Sequence, residues 1–191
     1  MIAGLVLAAG AGTRFADGES KLLAELDGRP VLAWSLAAPC SVAALERVVV
    51  VLGARADEIL ARVPLGRAEP VVCAEWADGQ SASLRCGLAA VEGASRVIVT
   101  LGDQPRLTAA VVERFVAEPP GTRALFDGRP GHPVVLGPDE IQAMGSVGGD
   151  EGARGLLSRA RTIEVGHLCS GRDVDTPEDL EALRHEARTV I

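Results

Sequence analysis

Short apolar runs rich in β-branched residues alternate with stretches of helical spacing from the start of the chain, and that order leaves few architectures open. It is the pattern of an α/β domain built on a mostly parallel sheet, whose strands need helical crossovers between them. Strands are expected at 3–8, at Arg47–Leu52, near Val71 and Val72, and at Arg96–Leu101; the four consecutive valines of the second suit burial on both faces. Helices are expected at 30–38, with Pro30 in the first turn, and at Ala56–Arg62. A third helix places Leu84, Leu88 and Val91 on one face and has Ser81 or Ser83 to cap its start. A fourth runs from a Thr108 cap to about Val116.

The second half is less regular. It offers strands at 123–126 and 133–136, a Gly-rich loop around Gly148, a helix over 151–160, and a last strand or edge before DVDTPEDLEAL. In that closing segment Thr176 suits an N-cap, Pro177 a first helical residue, and Leu180 and Leu183 a buried face. The 191 residues are 48% apolar and show no repeat, low-complexity tract or linker, so one domain over 1–191 is expected.

The loop after the first strand, LAAGAGTRF at 7–15, falls at the carboxyl edge of the sheet, where open α/β folds bind ligands. Gly10 and Gly12 let backbone N–H groups approach a phosphate, and Arg14 and Lys21 add positive charge. Phe15 stands where a dinucleotide fingerprint needs its third glycine, and the Walker pattern is missing too. On these residues alone the loop is either an anion cradle or a tight turn. Asp103, which follows a buried strand and precedes Gln104 and Pro105, is either a metal ligand or an ordinary turn residue. Asp175 likewise reads as a ligand or as part of a helix start.

A wider pattern bears on those alternatives. LAAGAGTRF with Lys21 in SKLL, DGQSASLRCGL from Asp78, LGDQP from Leu101, GRPGHPVVL from Gly128, GDEGARGLL from Gly149 and DVDTPEDL from Asp173 follow one another along nearly the whole chain. In that order they resemble the nucleotidyltransferases related to molybdenum-cofactor cytidylyl- and guanylyltransferases. The resemblance implies a three-layer α/β/α Rossmann-like nucleotidyltransferase fold. It also implies transfer of a nucleoside monophosphate from an NTP to a phosphorylated acceptor, with release of pyrophosphate.

What the resemblance implies for the site can be stated residue by residue. Asp103 and Asp175 are the ligands of a Mg²⁺, whose remaining positions are phosphate oxygens and water. Lys21 and Arg14 act with Asp103 in catalysis, the ammonium of Lys21 neutralising phosphate charge. Leu7, Ala8, Ala9, Gly10, Gly12, Thr13, Arg14 and Lys21 bind the nucleotide, together with Gln80, Ser81 and Ser83 at a helix start. His132 lies toward the acceptor. A phosphate acceptor is already an anion, so no general base is required. Arg85 either meets phosphate or sits on an exposed face, GDEGAR has no assigned role, and Trp76 and His167 are read as structural.

The pair Ala8 and Ala9 stands where guanylyltransferase relatives carry two glycines, which favours CTP. The specific expectation is therefore a molybdenum-cofactor cytidylyltransferase acting on molybdopterin-bound molybdenum and serving molybdenum hydroxylases. The alternatives are a cytidylyl- or guanylyltransferase for another phosphorylated metabolite, a non-catalytic carrier of a nucleotide cofactor, and a nicotinamide-dependent oxidoreductase. The last is disfavoured by the missing third glycine and by Gly53, where a ribose-binding acid is expected.

Composition narrows the partners. A net charge of −7 and 3% aromatic residues argue against nucleic-acid and anionic-membrane surfaces. Cys40, Cys73, Cys86 and Cys169 are scattered without a CxxC pair, as reduced core thiols would be. The apolar start is too short to cross a bilayer and has no basic segment before it, so a cytoplasmic location is expected.

Overall fold

The computed structural model describes residues 1–15, 19–146 and 160–186. In chain order the elements are β1 (Ile2–Ala8), the short hairpin β2 (Glu25–Leu26) and β3 (Arg29–Pro30), α1 (Val31–Ser41), β4 (Arg47–Leu52), α2 (Ala56–Arg62) and β5 (Glu69–Val72). They continue with α3 (Gln80–Ala90), β6 (Arg96–Leu101), α4 (Ala109–Ala117), β7 (Thr122–Phe126), β8 (Arg129–Leu136), α5 (Pro138–Ser146), β9 (Arg161–Glu164) and α6 (Pro177–Glu186).

Seven strands form one sheet in the order β5-β4-β1-β6-β8-β7-β9. All neighbours are parallel except those of β8, which runs against both β6 and β7. The reversal follows from the Asp127-Gly128 turn, where both residues have positive φ (51° and 77°), the geometry of a tight two-residue hairpin. Glu164 holds that turn, its carboxylate accepting the N–H groups of Asp127 (3.0 Å), Gly128 (3.0 Å) and Gly166 (2.9 Å).

Each central strand divides its side chains between two layers, because successive residues of a strand point to opposite faces. Val6, Val48, Val50, Leu52 and Ile98 pack with Leu32, Leu36, Ile59, Val111 and Phe115 of α1, α2 and α4. Leu5, Leu7, Val49, Val51, Val97 and Val99 pack with Leu84 and Leu88 of α3 and Met144 of α5. This is the expected three-layer α/β/α arrangement. Burial of each such aliphatic side chain is worth about 1.5–3 kcal/mol, so the double-sided apolar strands stabilise both layers.

Several local expectations need correction. Pro30 lies in β3 and precedes α1, whose first residue is Val31 and which runs on to Ser41. Gly79, with φ 105°, is the N-cap of α3, so Ser81 and Ser83 lie inside the helix rather than at its cap position. Thr108 does stand at the N-cap of α4, but its side chain makes no capping bond. Thr176 caps as expected: Asp179 N donates to its hydroxyl at 3.2 Å while Thr176 N donates to Asp179 Oδ2 at 2.8 Å, a reciprocal capping box. Strand β8 begins at Arg129 rather than 133, and the β2/β3 hairpin and α5 were not expected. The Gly148 loop and the helix over 151–160, apart from Ala160, lie outside the described residues.

Beyond the end of β4, Gly53 is packed so closely that a Cβ would lie 2.4 Å from the Cβ of Trp76 and 2.6 Å from the carbonyl oxygen of Ala9. Neither atom is the free end of a flexible chain. Gly53→Ala should therefore lower unfolding free energy by roughly 1–3 kcal/mol, the usual range for overpacking. Denaturant titration checks this, and unchanged stability would mean that Ala9 and Trp76 yield freely.

Candidate functional site

Three distant segments meet at the carboxyl ends of β1 and β6. The first is the loop after β1, which closes with Phe15 N donating to Gly12 O at 2.9 Å. Gly12 has φ +62°, and a Cβ there would lie 3.3 Å from Cγ of Lys21, so its missing side chain also makes room for the lysine stem. The second is the turn after β6. Gly102 N donates to Leu7 O at 2.8 Å, and a Cβ on Gly102 would come within 2.7 Å of that of Ala8. This contact seats Asp103 beside the first loop.

The third segment is the approach to α6. Val174 is buried and donates its N–H to the carbonyl of Asp103 at 2.9 Å, which draws Asp173 and Asp175 to the same place. The start of α1 ties down the segment that follows Lys21: Leu32 N donates to Leu22 O at 3.1 Å and Val31 N to Ala24 O at 2.9 Å.

Lys21 joins the two carboxylates. Its Nζ lies 2.5 Å from Asp103 Oδ2 and 2.8 Å from Asp175 Oδ1, with the lysine side chain 13% exposed and the two acids 18% and 29%. Burial alone would pull the lysine pKa down. The charge of Asp103 and the hydrogen bonds to Asp103 and Asp175 outweigh it and hold the ammonium above its ordinary value, so the group stays charged at neutral pH. Arg14 meets the other oxygen of Asp175 at 2.9 Å but is 74% exposed, so this rim contact adds little stability. Asp103 Oδ1 is shielded from solvent and has no hydrogen-bond partner among the described residues.

A cavity of about 330 Å³ opens at this point. Its wall contains Leu7, Ala8, Ala9, Gly10, Gly12, Thr13 and Arg14 from the first loop, Lys21, Gln80, Ser83, Asp103 and Asp175. Every nucleotide residue expected from the sequence is thus brought together except Ser81, which is buried within α3 and lines no part of this cavity. A second cavity of about 970 Å³ shares Arg14, Lys21, Gln80, Asp103 and Asp175 and extends over β8 and β7, where it includes His132. Arg85 is exposed and lines neither.

Some lining residues escaped the sequence reading. Trp76, taken there as structural, forms part of the smaller cavity, and its packing on Gly53 is a tertiary contact with no local signature. Gln104 Nε2 donates to Asp173 Oδ1 at 2.7 Å, and burial followed by the charge of Asp103 pushes the Asp173 carboxyl up to about 6. The DVD spacing could have pointed to Asp173, since residues two apart in extended chain share a side. Arg123 lines the larger cavity, and nothing in its surrounding sequence marks it.

Fold and site together define an α/β domain with a glycine-lined cavity beside a pair of acids. Residues 4–164 match the MobA-like NTP transferase domain, and the chain belongs to that family and is a nucleotidyltransferase by that membership. It is 34% identical to the nicotine blue oxidoreductase of Paenarthrobacter nicotinovorans, over 95% of this chain and 96% of that protein. It is also 38% identical to the bifunctional protein GlmU of Trichlorobacter lovleyi, a match over 61% of this chain that spans only 25% of GlmU. Among solved structures, the Mycobacterium sp. strain JC1 homologue of Rv0371c superposes with a TM-score of 0.82 at 28% identity, covering 100% of this chain and 98% of that one. The Mycobacterium tuberculosis Rv0371c structure in complex with manganese gives 0.79 at 29%, covering 96% and 98%.

His132 supplies a pH test of the larger cavity. Burial, with the nearby charge of Arg123, lowers its pKa from 6.5 to about 4. The unfolded chain therefore takes up a proton in this window that the folded chain refuses. Stability should be full above pH 6.5 and fall as the pH drops toward 4. His132→Gln should flatten that part of the profile in denaturant titrations and leave the profile above pH 7 parallel to the wild type. Identical profiles from pH 7 to 4 would show that the imidazole is free to charge.

Proposed function

We propose that the chain transfers a cytidine monophosphate unit from CTP to the phosphate of a molybdopterin-type molybdenum cofactor. An oxygen of the acceptor phosphate bonds to the α-phosphorus, the bond from that phosphorus to the β-phosphate bridge breaks, and pyrophosphate leaves. The observation that carries this reading is the ammonium of Lys21 set between Asp103 and Asp175 at the mouth of a glycine-lined cavity. One domain over 1–191 and a cytoplasmic setting belong to the same proposal. No helix among the described residues is long and apolar enough to cross a membrane.

Two features support a divalent metal at the paired acids. Their oxygens converge on one cation, and Asp103 Oδ1 is a buried acceptor with no partner among the described residues. No cluster of three or more metal-binding side chains occurs among the described residues, and phosphate oxygens and water would fill the remaining positions. Mg²⁺ bound there would offset charge on the phosphoryl oxygens. The backbone N–H groups around Gly10 and Gly12 hold the polyphosphate, Lys21 neutralises it as charge moves to the leaving group, and Gln80 and Ser83 orient ribose or base. His132 and the larger cavity receive the acceptor.

CTP is favoured by the small cavity, near the lower limit of ligand pockets, and by Ala8 and Ala9, both buried at 4% exposure. Another phosphorylated metabolite as acceptor remains an alternative within this chemistry, and a carrier that holds the nucleotide without turnover is an alternative outside it. A second reading has its own support. The relative in Paenarthrobacter that matches nearly end to end bears the name of an oxidoreductase, so the same pocket can be read as holding a nucleotide redox cofactor.

Incubation with Mg²⁺, each NTP and the molybdopterin acceptor should release pyrophosphate fastest with CTP. Asp103→Ala should remain folded and lose about 10²-fold or more in turnover, the range for removing a charge-stabilising group. Consumption of a reduced nicotinamide cofactor without pyrophosphate release would move the assignment to the oxidoreductase, and nucleotide binding with neither reaction would move it to the carrier. Full activity of Asp103→Ala would remove that residue from the site.

A further inference from the structure

The larger cavity leads away from Asp103 across β8 to β7, and Arg123 stands on its far wall. Four other arginines have evident partners: Arg47 and Arg106 meet carboxylates, and Arg67 and Arg96 cover backbone carbonyls. Arg123 differs. It is half-buried, its Nε is shielded from solvent, and neither a hydrogen-bond acceptor for that nitrogen nor an ion pair with the side chain occurs among the described residues. A buried donor with no acceptor is uncommon enough to ask what fills it, and a desolvated cation asks for an anion.

His132 lies close enough for the charge of Arg123 to act on it, and it lines the same cavity. As a neutral imidazole it keeps one N–H to donate without adding a second charge. A guanidinium edge next to one neutral donor suits a phosphate or carboxylate, whose oxygens match the spacing of the guanidinium N–H groups.

The position of Arg123 separates it from the reacting centre. β8 lies between β7 and β6, so Arg123 is two strand spacings, roughly 10 Å, from the strand that delivers Asp103. Arg123 pairs with Val134, and Val134 pairs with Val99, which places Arg123 level with a residue two before the end of β6 and four before Asp103. We infer that Arg123, with His132, forms an oxyanion subsite for a second anionic group of the acceptor, distal to the phosphate that reacts beside Asp103. The assignment of this group to the acceptor rests on the transferase reading; the subsite itself rests on the cavity and its unpaired cation.

Inorganic phosphate tests the subsite by calorimetric titration of the full chain, with CTP and Mg²⁺ present at saturation. Arg123→Gln should weaken phosphate binding about tenfold or more, the loss expected for a charge-assisted contact, and Arg123→Lys should fall between. Thermal melting of Arg123→Gln should match or exceed that of the wild type, since a buried charge without a partner has been removed. A purely structural arginine would lower it. Equal phosphate affinity in wild type and Arg123→Gln, or no binding to either, overturns the inference. Kinetics locate the group: Arg123→Gln should raise KM about tenfold for a phosphorylated acceptor with a second anionic group, keep its kcat, and leave a singly phosphorylated acceptor unchanged. Equal rises for both acceptors would assign Arg123 to the reacting phosphate and overturn the distal placement. CTP binding is read in the same samples, and its failure in the wild type would sink the transferase reading while the phosphate result still decides the subsite.

Discussion

One ammonium and two carboxylates tie this molecule's functional end together. Lys21 belongs to the segment after β1, Asp103 follows β6, and Asp175 precedes α6, so the contacts at 2.5 and 2.8 Å close loops that span most of the chain. Two acids held this close in a partly desolvated place repel one another unless a cation lies between them. The lysine supplies that cation, and its own burial is offset by the acids it serves. Removing the lysine leaves two carboxylates facing one another, a larger penalty than the loss of a surface ion pair, whereas removing one acid still leaves Lys21 with a partner.

The sheet makes this meeting possible. β1 and β6 are parallel neighbours, so both of their following loops emerge at one edge. Backbone contacts then set the spacing: Gly102 N to Leu7 O, and Val174 N to Asp103 O. The reversed strand β8 does something different. By returning between β6 and β7 it carries His132 toward the reacting edge and widens the site into a second, larger cavity beside the glycine loop. The two cavities, about 330 and 970 Å³, meet at Lys21, Asp103 and Asp175.

Much of this was legible in the residues. The four valines of β4 announced a strand buried on both faces, and the glycine loop, Lys21, Asp103 and Asp175 were each identified where the structure gathers them. What failed had a common cause. Ser81 and Ser83 looked like caps because serine suits that place, but Gly79 already provides the turn, and the helix starts earlier and buries both. That Arg123 and Trp76 line the cavities was not legible, because what faces them is set across the fold. The two Asp-Gly pairs at 27–28 and 127–128 were readable hairpin signals that would have supplied β2/β3 and the reversal of β8.

The sharing of one metal ion by Asp103 and Asp175 is the proposal on which the rest of the site depends. It is tested most directly by Mn²⁺ binding, followed by electron paramagnetic resonance in the presence of CTP, for the wild type, Asp103→Asn, Asp175→Asn and the double variant. If the acids share one ion, each single change should remove nearly as much affinity as both together, a strongly non-additive cycle. Losses that simply add, or a single variant that binds Mn²⁺ as the wild type does, would contradict it.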